Sequence, residues 1–198
     1  MTAADTLELL DWKRRVFAVY AAVRTMEPEA GWELWRETRA ELFRSHPQSP
    51  RAGYSGLVYF DYDPEARVLA ELEDVDAPPQ AIETSGPEPM LFKPLARAHF
   101  ELRGEELALE LDWLESYGGG LFLCFRDATS GRGTYGGGRY LLDTVKGADL
   151  GEEGGKLVLD FNFAYNPSCS YDPSWVCPLA PPANRLAVAV EAGENHRA

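Results

Sequence analysis

Residues 99–111 read "HFELRGEELALEL", two runs in which apolar and charged residues alternate on either side of Arg103-Gly104. A period of two puts successive side chains on opposite faces of a strand, and a glycine between two such runs supplies the turn. The stretch predicts a β-hairpin turning near Gly104. On both sides of it, "GLVYF", "ARVLAELEDV", "LFLCF", "RYLLDTV", "KLVLDFNF" and "RLAVAVEA" are short apolar or alternating runs broken by Gly, Pro and Asp, each of which reads as a strand. Beyond residue 54 no stretch has room for a long helix, so βαβ crossovers are disfavoured and a mainly β, antiparallel sandwich or barrel-like sheet is expected.

The N-terminal part has a different period. Leu7, Leu10, Phe17, Tyr20 and Val23 recur at intervals of three, four or seven, with Thr6 placed to cap the segment. After Pro28, Trp32, Trp35, Leu42 and Phe43 share one side, and Pro47 and Pro50 stop the pattern. Two helices over residues 6–46, packed on a β-rich core over 54–194, make a single α+β domain of residues 1–198.

The net charge of -13 and a pI near 4.7 repel phosphate backbones and anionic headgroups, which argues against nucleic-acid and membrane-surface partners. Lys13, Lys93, Lys146 and Lys156 are the only lysines beside fifteen arginines, and acidic residues run along the whole chain. That surface suits a high-salt cytosol, where the Debye length shrinks to about 3 Å at 1 M salt, and a GC-rich genome would give the same excess of arginine over lysine. The start, "MTAADTLELLDWKRR", carries charge where a signal peptide needs an apolar run. A cytoplasmic setting is expected, with no oligomeric state assigned.

"GRGTYGGGR", residues 131–139, contains G-x-G-x-x-G at Gly131, Gly133 and Gly136. A dinucleotide loop must open a helix, and here the short apolar run "RYLLDTV" follows. A P-loop must end Gly-Lys-Ser/Thr, whereas this one ends Gly137-Gly138-Arg139. No nucleotide cofactor is expected. The loop reads as a strand connection whose useful chemistry lies in Arg126, Asp127 and Arg139.

A second dense stretch, Leu159 to Leu186, carries Asp160, Asn162, Tyr165, Asn166, Cys169, Tyr171, Asp172, Trp175, Cys177 and Asn184 among five prolines. Long loops inside compact domains are usually functional. Three segments, "GLVYFDYDPEARVLA", "FRDATSGRGTYGGGRYL" and "LDFNFAYNPSCSYDPSWVCPLAPPANRLAVAVEAGE", resemble in succession the family catalogued as domain of unknown function 1684 (DUF1684). The resemblance runs from the Trp35-Arg36 helix to Gly193-Glu194. It implies that these segments belong to one fold and supplies no activity. Phe163 stands where family members carry an arginine, so a role for charge does not carry over to that position.

The residues offer three readings of function. In the first, a small polar or anionic ligand sits between the glycine loop and the Tyr-Asn-Pro/Cys segment. Arg126 and Arg139 would orient charge, Tyr135 and Tyr165 offer hydroxyls, Asn162 and Asn166 offer amides, and Trp175 forms a wall. In the second, Asp127 or Asp160 serves the same pocket as the general base of a hydrolase. In the third, these polar residues pin long loops in a structural or partner-binding domain. Cys169 and Cys177 could bridge to close their loop. They are too few and too far apart for a structural tetrahedral metal site, so no metal is expected.

Overall fold

The computed structural model describes residues 2–51, 53, 55–115 and 117–196. Two helices, α1 (Ala3–Val23) and α2 (Pro28–Ser45), precede a curled antiparallel sheet in a half-barrel, with eight strands among the described residues. The strands are β1 (Arg67–Asp74), β2 (Gln80–Ile82), β3 (Met90–Leu102), β4 (Glu105–Leu114), β5 (Leu121–Phe125), β6 (Arg139–Asp143), β7 (Glu152–Glu153) and β8 (Lys156–Asp160). Their order is β6-β5-β4-β3-β1-β8-β7, with β2 also paired to β3.

The hairpin expected at "HFELRGEELALEL" is β3–β4. Leu102 pairs with Glu105 across Arg103 and Gly104, both of which have positive φ (53° and 80°), as a two-residue type I′ turn requires. Along β3, Phe92, Pro94, Ala96, Ala98, Phe100 and Leu102 are buried and their neighbours turn outward or lie half-buried. Ala96, Ala98, Phe100 and Leu102 pack with Leu109, Leu111, Phe125, Leu159 and Phe161 in one core cluster, and Phe92 joins another with Ile82, Phe122 and Tyr140.

The helices cover another part of the sheet. Trp35 reaches the Tyr20 hydroxyl with its Nε1–H at 3.0 Å, and Trp32 donates to the carbonyl of Asn162 at 3.0 Å, which ties α2 to the residues after β8. Phe163 is buried against Tyr20 and Trp35. Thr2, not Thr6, caps α1: its side chain accepts from the Asp5 N–H, while the Thr6 hydroxyl donates to the Thr2 carbonyl. Leu7, Leu10 and Phe17 remain largely exposed, so only the C-terminal half of α1, with Val19, Tyr20 and Val23, joins the core.

Two expected strands do not form. "GLVYF" makes a single bridge, Tyr59 with Glu194, and "RLAVAVEA" makes a single parallel bridge, Arg185 with Arg126. In the second segment Leu186, Val190 and Ala192 are buried while Arg185, Ala187, Ala189 and Glu191 are exposed, so the side-chain alternation is real. Its backbone is divided between two partners: the Leu186 N–H donates to the Arg126 carbonyl and the Val188 carbonyl accepts from the Ala128 N–H, whereas the carbonyls of Val190 and Ala192 go to a side chain, Arg139.

Candidate functional site

Arg139 opens β6 and is 1% exposed. Its Nη2 donates to Asp127 Oδ2 at 2.8 Å and to the Val190 carbonyl at 2.9 Å; its Nη1 donates to the carbonyls of Ala192 and, at 3.3 Å, Glu194. Every second carbonyl of an extended segment points the same way, so one guanidinium spans 190, 192 and 194. Asp127 Oδ1 meanwhile accepts from the Thr129 N–H at 2.6 Å and its hydroxyl at 2.5 Å. Burial pushes the Arg139 pKa down, and Asp127 works against that shift. The expectation of a ligand fork at Arg139 and a free base at Asp127 gives way to a buried fastening, because these groups already face the chain itself.

The glycine loop behaves similarly. Arg126 is half-buried, exchanges backbone hydrogen bonds with Asn184 and Leu186, and keeps a buried Nε without a partner among the described residues. The Gly133 carbonyl accepts from the His196 N–H at 2.8 Å, and the Tyr135 ring meets the His196 ring edge-on at 5.7 Å. What approaches this loop is the chain's own C-terminal segment.

Asp160 and Asn162 lie at the end of β8. Asn162 Nδ2 donates to Asp160 Oδ1 at 2.9 Å and to the Asp63 carbonyl at 2.7 Å, while its Oδ1 accepts from the Asp63 N–H at 2.9 Å. Burial raises the Asp160 pKa to about 6, against the hydrogen bonds from Asn162. Asp160 lines a groove with Arg24, Arg67 and Glu152, apart from the fastening at Arg139. The two expected segments do touch, through the Tyr140–Tyr165 backbone bridge and through Tyr135 and Cys169, but they do not gather the nine expected residues around one pocket.

The enclosed space lies elsewhere, between α1, α2 and the start of the Tyr-Asn-Pro segment. A cavity of about 100 Å³ is lined on one side by Val16, Tyr20, Trp35, Arg39 and Phe43 and on the other by Tyr140, Asp143, Tyr165, Asn166 and Cys177. The Arg39 guanidinium lies 5.0, 5.1 and 4.9 Å from the ring centres of Trp35, Phe43 and Tyr165. Its Nη2 donates to Glu194 Oε2 at 2.8 Å and its Nε to the Tyr59 hydroxyl at 3.2 Å; Nη1 makes no hydrogen bond to the described residues. Burial opposes the Arg39 charge, but Tyr59, Glu194 and Tyr171 outweigh it and hold the pKa well above the usual value.

Glu194, 1% exposed, is the hub of this wall. Besides Arg39 it accepts from the Asn166 N–H at 3.0 Å and from the Tyr171 hydroxyl. Asn166 Nδ2 donates to the Asn195 carbonyl, and its buried Oδ1 has no partner among the described residues. The Tyr20 hydroxyl accepts from Trp35 and the Tyr165 hydroxyl makes no hydrogen bond to the described residues; burial raises both pKa values, so both keep their protons. Of the residues expected at a site, Tyr165, Asn166 and Cys177 line this cavity. Arg39, Glu194, Tyr20 and Asp143 were not expected. Arg39 had a signal: it interrupts the Trp35–Phe43 stripe at a spacing of four on an otherwise apolar helix face.

Cys169 and Cys177 are both thiols, as is Cys124. The bridge considered from sequence is not formed, although the Cys169 N–H donates to Cys177 Sγ at 3.4 Å. Trp175 is 38% exposed on the same loop, outside the cavity.

The family model described as "Protein of unknown function (DUF1684)" matches residues 52–195. The chain is also similar to the solution NMR structure of an uncharacterised protein from Haloarcula marismortui, at 33% identity over 85% of this chain and 94% of that one, with a TM-score of 0.59. None of the curated proteins compared matches the chain. No helix among the described residues is long and apolar enough to cross a membrane.

Proposed function

We propose that this chain, which belongs to the DUF1684 family, binds a small, largely apolar carboxylate in the cavity between its two helices and the Tyr-Asn-Pro segment. The observation that carries the reading is Arg39. It lies half-buried among three aromatic rings, paired through one nitrogen to Glu194, and left with Nη1 unbonded to any described residue on a cavity wall. Two protonated tyrosine hydroxyls on the same cavity, Tyr20 and Tyr165, add donors and no charge. Donors gathered in an apolar enclosure favour an oxyanion, since charge-assisted hydrogen bonds there are stronger than neutral ones.

The volume sets the size. A cavity of roughly 150 Å³ holds benzene, so about 100 Å³ takes a molecule with on the order of four to six non-hydrogen atoms, a short-chain carboxylate. The glycine loop drops out of the site, and the small anionic ligand expected from sequence moves to the helix side of the Tyr-Asn-Pro segment. Arg139, Asp127, Asn162 and Asp160 take the pinning role that the third sequence reading gave them.

Thermal shift and calorimetry with acetate, propionate and butyrate, each beside its neutral amide, test the proposal. The acids are expected to raise the unfolding midpoint and the amides to do so far less. Tyr165→Phe, which removes one hydroxyl and keeps the ring, is expected to weaken acid binding several-fold with little change in stability. Equal responses to acids and amides, or none to either, would discard the carboxylate reading.

A further inference from the structure

We propose that Cys169 and Cys177 are a peroxide-reactive dithiol, in which Cys169 attacks hydrogen peroxide and Cys177 resolves the product into an intramolecular disulfide. The two residues are brought together by independent parts of the fold. Cys169 sits in a single 3-10 turn, Ser168–Ser170, with the Tyr135 hydroxyl 3.7 Å from its sulfur. Cys177 is held by Ser85, just past β2: the Ser85 Oγ accepts from the Cys177 N–H at 3.0 Å and the Ser85 N–H donates to the Cys177 carbonyl at 2.9 Å. The Cys169 N–H donates to Cys177 Sγ at 3.4 Å, which places the second sulfur against the residue that carries the first.

The surroundings divide the roles. The neighbouring Cys177, with the Tyr135 hydroxyl 3.7 Å away, lowers the Cys169 pKa against the cost of burial and favours a thiolate there. The same contact pushes the Cys177 thiol up, so Cys177 keeps the proton. Arg126 acts on Tyr135 and Lys146 on Cys177 as the nearby cations. The thiolate is the nucleophile, so a lowered pKa makes Cys169 the attacking sulfur of the pair. Cys124 has no such setting: it is 1% exposed in β5 and burial pushes its thiol up. Cys169 and Cys177 are 8% and 7% exposed, which favours an oxidant as small as peroxide.

The chemistry balances. The Cys169 thiolate attacks one peroxide oxygen, the O–O bond breaks, and a sulfenic acid forms as hydroxide leaves. The Cys177 sulfur, losing its proton, attacks the sulfenic sulfur and displaces its hydroxyl as water, which leaves the S–S bond. Two thiols are oxidised and one peroxide is reduced to two waters. Cys177 also lines the cavity, but no step requires a ligand there.

The test treats the whole protein with stoichiometric peroxide and follows free thiols, intact mass and non-reducing peptide maps. The expected result is loss of two of the three thiols and of two hydrogen masses, a Cys169–Cys177 link within one chain, and full reversal by dithiothreitol. Cys177→Ser is expected to hold a sulfenic acid at Cys169 that dimedone traps. Cys169→Ser is expected to consume peroxide at least about tenfold more slowly, and Cys124→Ser at the wild-type rate. Retention of all three thiols, a link through Cys124 or between chains, or a Cys169→Ser variant as fast as wild type would overturn the proposal.

Discussion

Replacing Asp127 by Ala removes the only carboxylate among the described residues that is hydrogen-bonded to Arg139, whose side chain is 1% exposed, from a position that is itself fully buried. Breaking a buried pair in this way leaves an uncompensated charge and costs about 3–5 kcal/mol. For a chain of this length, 1 kcal/mol moves the unfolding midpoint by about 2–4 °C, so Asp127→Ala should melt about 6–20 °C below wild type. An ion pair alone would also predict recovery when both partners become apolar, since buried pairs replaced together are often neutral. Arg139 predicts otherwise. It also holds the carbonyls of Val190, Ala192 and Glu194, and each buried carbonyl left without a donor costs about 1–3 kcal/mol. Arg139→Met should therefore be at least as destabilised as Asp127→Ala, and the double variant should not recover. Arg139→Lys should fail as well, because one ammonium cannot replace a planar fork that spans Asp127 and three carbonyls. Urea titrations of the three variants and the double mutant, at equal m-values, provide the measurement. A double mutant close to wild type would refute the carbonyl anchoring, and an Asp127→Ala variant within about 1 kcal/mol of wild type would refute the buried pair altogether.

Other expectations follow from single positions. Asp112 is 1% exposed with Oδ1 lacking a partner among the described residues, and burial raises its pKa from 3.8 to about 6. Between those values the folded chain binds more protons than the unfolded one, so its contribution to stability is present below about pH 4 and lost as pH rises through about 6. Relative to Asp112→Asn, wild type should lose on the order of 3 kcal/mol between pH 4 and 7 in denaturant titrations; a parallel pH profile for the two proteins would count against the burial argument. Gly138 has φ +99° and an added Cβ would lie 2.7 Å from the Phe125 carbonyl, whereas a Cβ on Gly133 meets nothing within 4 Å. Gly138→Ala should cost about 2 kcal/mol or more and Gly133→Ala less than about 0.5 kcal/mol, a contrast that a pair of thermal melts decides.

The hairpin was legible because alternation and a turn glycine are local signals, carried by residues 99–111 without help from the rest of the chain. "RLAVAVEA" carries the same local signal, and its side chains do alternate between buried and exposed. What alternation does not encode is the partner of the backbone. At Val190 and Ala192 that partner is a side chain more than fifty residues earlier, Arg139, and a buried arginine has no signature that distinguishes it from a ligand-binding one. The same limit applies to Asn162 and Asp160, whose types suit ligand chemistry and turn-pinning equally well. Arg39 was readable in principle from its place inside an aromatic stripe, whereas Glu194, at the end of a segment rich in glutamate and alanine, acquires its role only when Arg39, Asn166 and Tyr171 converge on it.

The boundary of the family match sharpens where function should be sought. Residues 52–195 contain the sheet, the glycine loop, the thiol pair and the Tyr-Asn-Pro segment, yet Tyr20, Trp35, Arg39 and Phe43 precede that span. The matched part alone thus supplies Tyr165, Asn166 and Glu194 but neither the guanidinium that Glu194 holds nor most of the apolar wall. The Haloarcula marismortui structure covers 85% of this chain, more than residues 52–198 supply, so that similarity reaches into the helical part. Glu194 would be a buried carboxylate without its cationic partner if α2 were absent, and the Tyr171 and Asn166 donors alone would have to satisfy it. The pairing of a C-terminal glutamate with an arginine on the second helix therefore makes α2 part of the site rather than a cover over it. Exchange of Arg39 for Met should loosen α2 and the Glu194 segment together, seen as faster hydrogen exchange in both, while hydrogen exchange confined to α2 would show that the cavity wall is assembled without Arg39.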